Sequence, residues 1–359
     1  MYPIPLVPGP TRVPAPVLEA FARDYPASDL EPEFAVLYRE TESRLQRILG
    51  TANRVAVMTG EGMVALWGAL KSVARAGDRV LAVSTGLFGE GLGQMAEGLG
   101  CDVAYDRYGP DEVASPERVA AAARAHRAEL VTLVHCETPS GTLNPLGEIG
   151  AALRAAVPEA LLCVDAVASA AGAELRVDDW GVDLCLVGSQ KALSCPPDAA
   201  MVAVSGRAWE RIARVGYAGY DALLPWREVG DPGSFPYTPS WHATAAIHAA
   251  CGLVLEEGVE RVIERHAHVA ALCRRLGQEI GLRLFPREAN ASAPTVTAFH
   301  LPDGWSWERF DAALRHHGLV VGGSWGELHG RIFRVGHMGD QAREDLVRQG
   351  MDVIARVLA

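Results

Sequence analysis

The feature that most constrains the fold is the stretch Leu161 to Leu193, LLCVDAVASAAGAELRVDDWGVDLCLVGSQKAL. It contains two short apolar runs, Leu161–Val164 and Val182–Val187, each flanked by turn residues. Nearly continuous apolar strands of this length read as central members of a parallel sheet, buried on both faces. The first run delivers Asp165, and small residues follow from Ala166 to Gly172, where a bulky group could approach the backbone. The second run leads through Gly188-Ser189-Gln190 to Lys191. Ligands of open parallel sheets sit beyond the carboxyl ends of the strands. Asp165 and Lys191 are therefore candidates for one site, although 26 residues separate them (191 − 165).

An acid and a lysine in such a place suit one cofactor chemistry. Pyridoxal phosphate needs a lysine amine for its Schiff base and a carboxylate against its pyridinium nitrogen, which keeps the ring an electron sink. Two residues alone leave a plainer alternative open, with Asp165 capping a helix and Lys191 on a loop.

The chain before this stretch alternates strands and helices. Strands are expected at Arg54–Met58, Arg79–Ser84, Cys101–Tyr105 and Leu130–Val134, with helices at Val17–Arg23, Glu33–Leu49 and Ser115–His126. The alternation predicts an α/β fold with an open, mostly parallel sheet and helices on both faces. After Arg54–Met58 comes Thr59-Gly60-Glu61-Gly62-Met63, a glycine turn into a helix. Free amides and the helix dipole make such a start an anion site.

The sequence has 359 residues, enough for two domains and a large core. Its net charge of −11 and lack of a basic run argue against nucleic acid or an anionic membrane as partner. Seven scattered cysteines without a CxxC pair suggest reduced thiols, a cytoplasmic protein and no metal set. The first sixteen residues, with six prolines, read as an extended arm rather than a signal peptide.

VDAVAS, followed at this distance by GVDLCLVGSQKAL, resembles the class V aminotransferases of the fold-type I pyridoxal phosphate enzymes. Within them the chain is most similar to alanine–glyoxylate, serine–pyruvate and 2-aminoethylphosphonate–pyruvate aminotransferases. The likeness runs from Pro8-Gly9-Pro10 to Arg334-Val335-Gly336.

That resemblance implies a seven-stranded, mostly parallel large domain and a smaller α+β C-terminal domain, divided as arm 1–16, large domain 17–257 and small domain 258–359. It implies pyridoxal 5′-phosphate as cofactor, bound covalently by Lys191, with Asp165 on the ring nitrogen and Gln190 beside them. Gly62 and Met63 match the phosphate-gripping turn, Phe88 the ring-stacking aromatic and Thr138 a contact near the phenolic oxygen. His135 and Glu137 of the same loop are expected to fix its shape. Arg334, in a stretch matching the family's FRIGxxG strand, is the carboxylate anchor, since a planar guanidinium suits bidentate binding. Arg331 is expected to be structural or a surface charge. Thr238 falls in a segment that reaches the neighbouring subunit's phosphate, so a homodimer with shared sites is expected. A helix N-cap is the other reading of Thr238.

Glu61 departs from the family pattern. A carboxylate repels a phosphate, so it is expected to turn away towards substrate, or to stabilise its own helix. Tyr25 is a further substrate-side candidate, and His242 matches the aminoethylphosphonate enzymes.

The implied reaction is transfer of an amino group from a small amino acid to a 2-oxo acid, glyoxylate or pyruvate, by a ping-pong cycle. Three alternatives stay open. A phosphonate donor would need extra cations such as Arg12 or Arg331. Free pyridoxamine as donor is kept open by Glu61. A lyase or desulfurase of the same fold would need a reactive cysteine, with Cys195 the one to test.

Overall fold

A computed structural model describes residues 2–359. In chain order its elements begin with β1 (Ile4–Pro5), α1 (Ala15–Phe21), α2 (Pro32–Leu49), β2 (Arg54–Thr59), α3 (Gly62–Val73) and β3 (Arg79–Ser84). They continue through α4 (Leu87–Gly98), β4 (Asp102–Arg107), α5 (Pro116–His126), β5 (Leu130–Val134), β6 (Cys136–Glu137), β7 (Thr142–Leu143) and α6 (Leu146–Ala156). Next come β8 (Leu161–Asp165), β9 (Leu184–Gly188), β10 (Ala199–Val204), α7 (Gly206–Val215), α8 (Trp241–Glu257) and α9 (Val259–Glu279). The chain ends with β11 (Val296–His300), α10 (Trp307–His316), β12 (Leu319–Val320), β13 (Ile332–Gly336) and α11 (Glu344–Leu358).

Seven strands form the main sheet in the order β2-β10-β9-β8-β5-β3-β4. Strands β9, β8, β5, β3 and β4 are mutually parallel, and β10 runs antiparallel to both its neighbours. Every residue of β5, β8, β9 and β10 is buried. That is why these segments read as unbroken apolar runs rather than as alternating ones. The expected strands appear within a few residues of their predicted ends, as is usual where ends fray.

Buried apolar side chains form two large clusters. One surrounds the seven-stranded sheet and extends to Ala293, Val296 and Met338. The other joins α9, β11, β13, α10 and α11 with Ile4 and Leu6 of the arm.

The arm is pinned at both clusters. Residues Ile4 and Pro5 pair in parallel with Leu319 and Val320. The Gly336 amide donates to Leu6 O at 2.8 Å, and Gln341 Nε2 donates to Val7 O at 2.8 Å. Gly336 has no side chain because a Cβ there would lie 2.1 Å from Val7 O. Farther along, the Thr11 amide donates to Gln190 O at 3.0 Å, and its hydroxyl donates to Lys191 O at 2.9 Å.

Among the described residues, no helix is long and apolar enough to cross a membrane.

Candidate active site

Pairing of β5, β8 and β9 brings the site together. Asp165 ends β8, opposite Val134 of β5 and Leu186 of β9. Its backbone is held on both sides: the His135 amide donates to Asp165 O at 2.8 Å, and the Ala166 amide donates to Leu186 O at 2.9 Å. Lys191 follows β9 in a tight turn, closed by the Ser194 amide donating to Lys191 O at 2.9 Å.

Both side chains face a cavity of about 300 Å³ at the carboxyl ends of the strands. Glu61, Gly62, Met63, Phe88, Thr138 and Gln190 also line it, together with Gly9, Pro10, Cys136, Val167, Ala168 and Trp325.

Asp165 is buried, and its Oδ1 accepts from the Val167 amide at 2.9 Å. Among the described residues nothing bonds its second oxygen. Burial pushes its carboxyl up to about 6, while the Val167 bond and Lys191 pull the other way. Burial, assisted by the Arg334 charge, lowers the Lys191 amine to about 8. Its Nζ donates to Pro8 O at 2.8 Å. Gly9, at φ +101°, lets the arm pass this close, since a Cβ would lie 2.7 Å from Nζ.

Two helices start at the cavity, and each N-terminus carries a carboxylate. Glu137, fully buried, accepts from the amides of Phe88 (2.8 Å) and Gly89 (3.2 Å) at the start of α4. Burial nevertheless raises its carboxyl to about 7. This bond fixes the Phe88 backbone to the loop that carries Thr138. His135 is buried against Trp180, and burial lowers it to about 4, so it is neutral. Both residues therefore shape the loop, as expected from sequence.

Glu61 is the N-cap of α3. Its Oε2 accepts from the Met63 amide at 3.0 Å, and its Oε1 accepts a short bond from Gln190 Nε2. Of the two expectations for Glu61, turning away from the phosphate site is corrected and stabilising its own helix holds. With the dipole of α3 and two donors at hand, the nearest place to satisfy a carboxylate is the anion cradle itself.

Arg334 of β13 is buried behind Thr138 and Trp325. Nε donates to Gly323 O at 2.6 Å and Nη1 to Thr138 O at 3.2 Å, and the guanidinium lies over the Trp325 ring. Burial lowers it to about 10, so it stays charged at neutral pH. Arg331 is exposed, as expected.

Other expected contacts do not meet in this chain. Tyr25 stacks on Trp241 with ring centroids 5.2 Å apart, and its hydroxyl donates to Ala20 O at 2.8 Å. His242 packs against Phe21 and Tyr25, and its Nδ1 lies 2.8 Å from Phe21 O. Aromatic packing of α1 and the loop after it against α8 thus holds both residues outside the wall of this chain's cavity. Thr238 is exposed and is not the cap of α8. That cap is Ser240, whose side chain accepts from the Ala243 amide at 3.1 Å. Arg12 pairs with Asp340 at 3.3 Å rather than facing the cavity. Cys195 is buried outside the cavity wall, with its thiol well above the usual range, and is no candidate nucleophile. Cys136 does line the cavity, but burial pushes it up to about 12.

Sequence reading missed Gly9, Val167, Ala168 and Trp325 as wall residues. The PGP arm and the small residues after Asp165 were signals for the first three, whereas Trp325 carries no local signal.

The comparisons with known proteins agree with this geometry. A family model described as Aminotransferase class-V matches residues 6–329. The chain is a class-V aminotransferase. An uncharacterised aminotransferase of Methanocaldococcus jannaschii is 35% identical, over 93% of this chain and 87% of that protein. A pyridoxamine–pyruvate transaminase of Mesorhizobium japonicum is 32% identical, over 95% and 87%. The crystal structure of an alanine–glyoxylate aminotransferase from Nostoc superposes with a TM-score of 0.94 at 30% identity, covering 100% of this chain and 96% of that one. The fold is that of the fold-type I enzymes, and the cofactor of this aminotransferase is pyridoxal 5′-phosphate.

The ring end of that cofactor fits the observed donors: a buried amine, a carboxylate with one oxygen unengaged and an aromatic wall. At the phosphate end the Gly62 and Met63 amides are in place, but Glu61 holds the second of them.

Raised in the folded protein, the Asp165 carboxyl favours folding most below its unfolded value near 4. That contribution is lost as pH rises through about 6. Asp165→Asn keeps an acceptor for the Val167 amide and carries no charge. In the cofactor-free protein it should therefore be more stable than wild type at pH 7.5, by about 3 kcal/mol, and unfold at a higher temperature, with the gap narrowing towards pH 4.5. A variant less stable than wild type at pH 7.5 in thermal melts would contradict this account.

Proposed function

We propose that this aminotransferase moves the amino group of a small amino acid, of the alanine or serine type, to glyoxylate or pyruvate. The observation that carries the reading is Arg334, a buried guanidinium beside the cavity, with Lys191 the one cation in the cavity wall among the described residues. One planar cation suits an α-carboxylate. Among the described residues the wall of that cavity holds no guanidinium to meet an acid or a phosphonate on the side chain. Relatives named serine–glyoxylate aminotransferase (Methylorubrum extorquens) and alanine–glyoxylate aminotransferase (Oryctolagus cuniculus) support it.

Pyridoxal phosphate, when bound, supplies an electron sink for charge at the substrate α-carbon. Lys191 Nζ would hold the cofactor, and its amine, lowered to about 8, takes and returns the α-proton more readily than an ordinary lysine. The unengaged Asp165 oxygen would keep the ring nitrogen protonated. Phe88 and Thr138 would orient the ring, and Arg334 would hold the carboxylate of either substrate. Lys191→Ala should abolish covalent attachment and nearly all turnover. Arg334→Ala should raise KM for the amino acid and for the oxo acid alike, by roughly tenfold to a hundredfold. Steady-state kinetics with both KM values unchanged would place the carboxylate anchor elsewhere.

Glu61 favours a second reading, in which free pyridoxamine is the donor and pyruvate the acceptor. Its carboxylate already occupies the α3 N-terminus that a phosphate would take. The Mesorhizobium japonicum relative, named for that reaction, supports it. Glu61→Ser should tighten binding of pyridoxal 5′-phosphate relative to pyridoxal by about tenfold or more in absorbance titrations. An unchanged ratio would remove this second reading.

The active unit we propose is a cytoplasmic homodimer with sites completed across the interface. Exposed Met63, Leu87 and Trp325 lie around the site, and Thr238 lies on the surface of its own chain. Apolar side chains grouped like this are usually covered. Sedimentation of the active enzyme should give twice the chain mass of 38.3 kDa. An active monomer at assay concentration would refute the dimer.

A further inference from the structure

Trp325 lies in the loop between β12 and β13, immediately before the short helical turn Gly326–Leu328. It is 50% exposed. As the residue before that turn it makes no side-chain capping bond. Its indole nevertheless has two defined neighbours. Phe88 meets it edge to face at 6.1 Å, with 83° between the rings. On another side the Arg334 guanidinium carbon is 4.8 Å from the ring centroid. The indole thus spans the space between the ring-stacking aromatic and the carboxylate anchor.

Trp325 also borders two cavities. One is the Lys191 cavity. The second, of about 260 Å³, lies on the α4 side and is lined in part by Leu87, Arg107, Pro139 and Leu328. The two share Trp325 and no other wall residue.

We propose that Trp325 is the specificity-determining wall of the substrate site. Its indole closes off the second cavity, so that a donor held at Arg334 has room for a small side chain only. The second cavity is then a latent side-chain subsite, opened when the indole is removed. This rests on the reading that Arg334 holds the substrate carboxylate, and it adds what limits the rest of the donor.

Charge decides which larger donors the opened subsite would take. Arg107 is already paired with Glu90, through bonds of 3.0 and 2.7 Å. Glu137 and Glu327 add further carboxylates to the wall. The subsite therefore has apolar surfaces and a surplus of negative charge. It suits neutral aliphatic or aromatic side chains and disfavours acidic ones.

The test compares holoenzyme of wild type, Trp325→Ala and Trp325→Phe. L-alanine, L-leucine, L-phenylalanine and L-glutamate serve as donors, and glyoxylate as acceptor. In Trp325→Ala the ratio of kcat/KM for leucine or phenylalanine to that for alanine should rise about tenfold or more, the size expected when a pocket gains space for several methylenes. Glutamate should gain far less. Trp325→Phe keeps an aromatic wall and should retain the preference for alanine. An unchanged ratio in Trp325→Ala would overturn the proposal. So would a uniform fall for all four donors, which would mean that Trp325 only steadies Arg334. Wild-type enzyme inert towards alanine, and towards L-serine assayed beside it, would instead overturn the small-donor reading, and this inference with it. The wild-type kinetics alone separate that failure from the other two.

Discussion

Parallel pairing of β8 between β5 and β9 sets the position of Asp165 and the start of the turn that carries Lys191. Both residues emerge at the same end of the sheet because these strands run the same way. The cost of that arrangement is desolvation, and it acts on the two groups in opposite senses. It raises the acid and lowers the amine, narrowing the interval between them to about 6 and about 8. A carboxylate able to hold a proton on a ring nitrogen and an amine able to accept one from carbon are thus products of the same burial. Neither is a cheap residue for the fold.

The helix termini repeat this logic. Starts of α3 and α4 both point at the cavity, and each would attract an anion. At α4 the anion comes from Glu137, forty-nine residues away in sequence (137 − 88) from the amide it caps. It joins two walls of the site. At α3 it comes from Glu61, the cap residue itself. One carboxylate is a brace. The other sits on the amides offered to the cofactor, and any phosphate bound there must contend with it.

The central sheet was legible because its signals are local: apolar runs of five or six residues punctuated by glycine turns. Asp165 and Lys191 were legible for the same reason, since each follows a strand end set by that pattern, whereas Gly62, Met63, Phe88, Thr138 and Gln190 were named through the family resemblance; all of them line the cavity. Trp325 was not. Its place is set by the meeting of a loop after β12 with Phe88, more than two hundred residues earlier in the chain (325 − 88 = 237). Tyr25 and His242 do not line this chain's cavity, because Tyr25 stacks on Trp241 of α8 and His242 packs against Phe21 and Tyr25. Glu61 was placed at the correct turn with two directions open, away from the phosphate site or onto its own helix, and attraction to the helix start decides for the second.

The amino-terminal arm gives this architecture a temporal order. Residues Ile4 to Thr11 precede the main sheet in sequence, yet their hydrogen-bond partners are Gln190, Lys191, Ser194, Gly318, Val320, Gly336 and Gln341. Thr11 can pair once the turn at Lys191 is made, but Ile4 to Val7 can pair only when residues 318–341 are present. Pro8, whose carbonyl accepts from the Lys191 amine, lies between these two sets of contacts. A chain with its central sheet already formed would still lack the arm contacts to residues 318–341, so the fixing of Pro8 over the Lys191 amine depends on the carboxyl-terminal cluster.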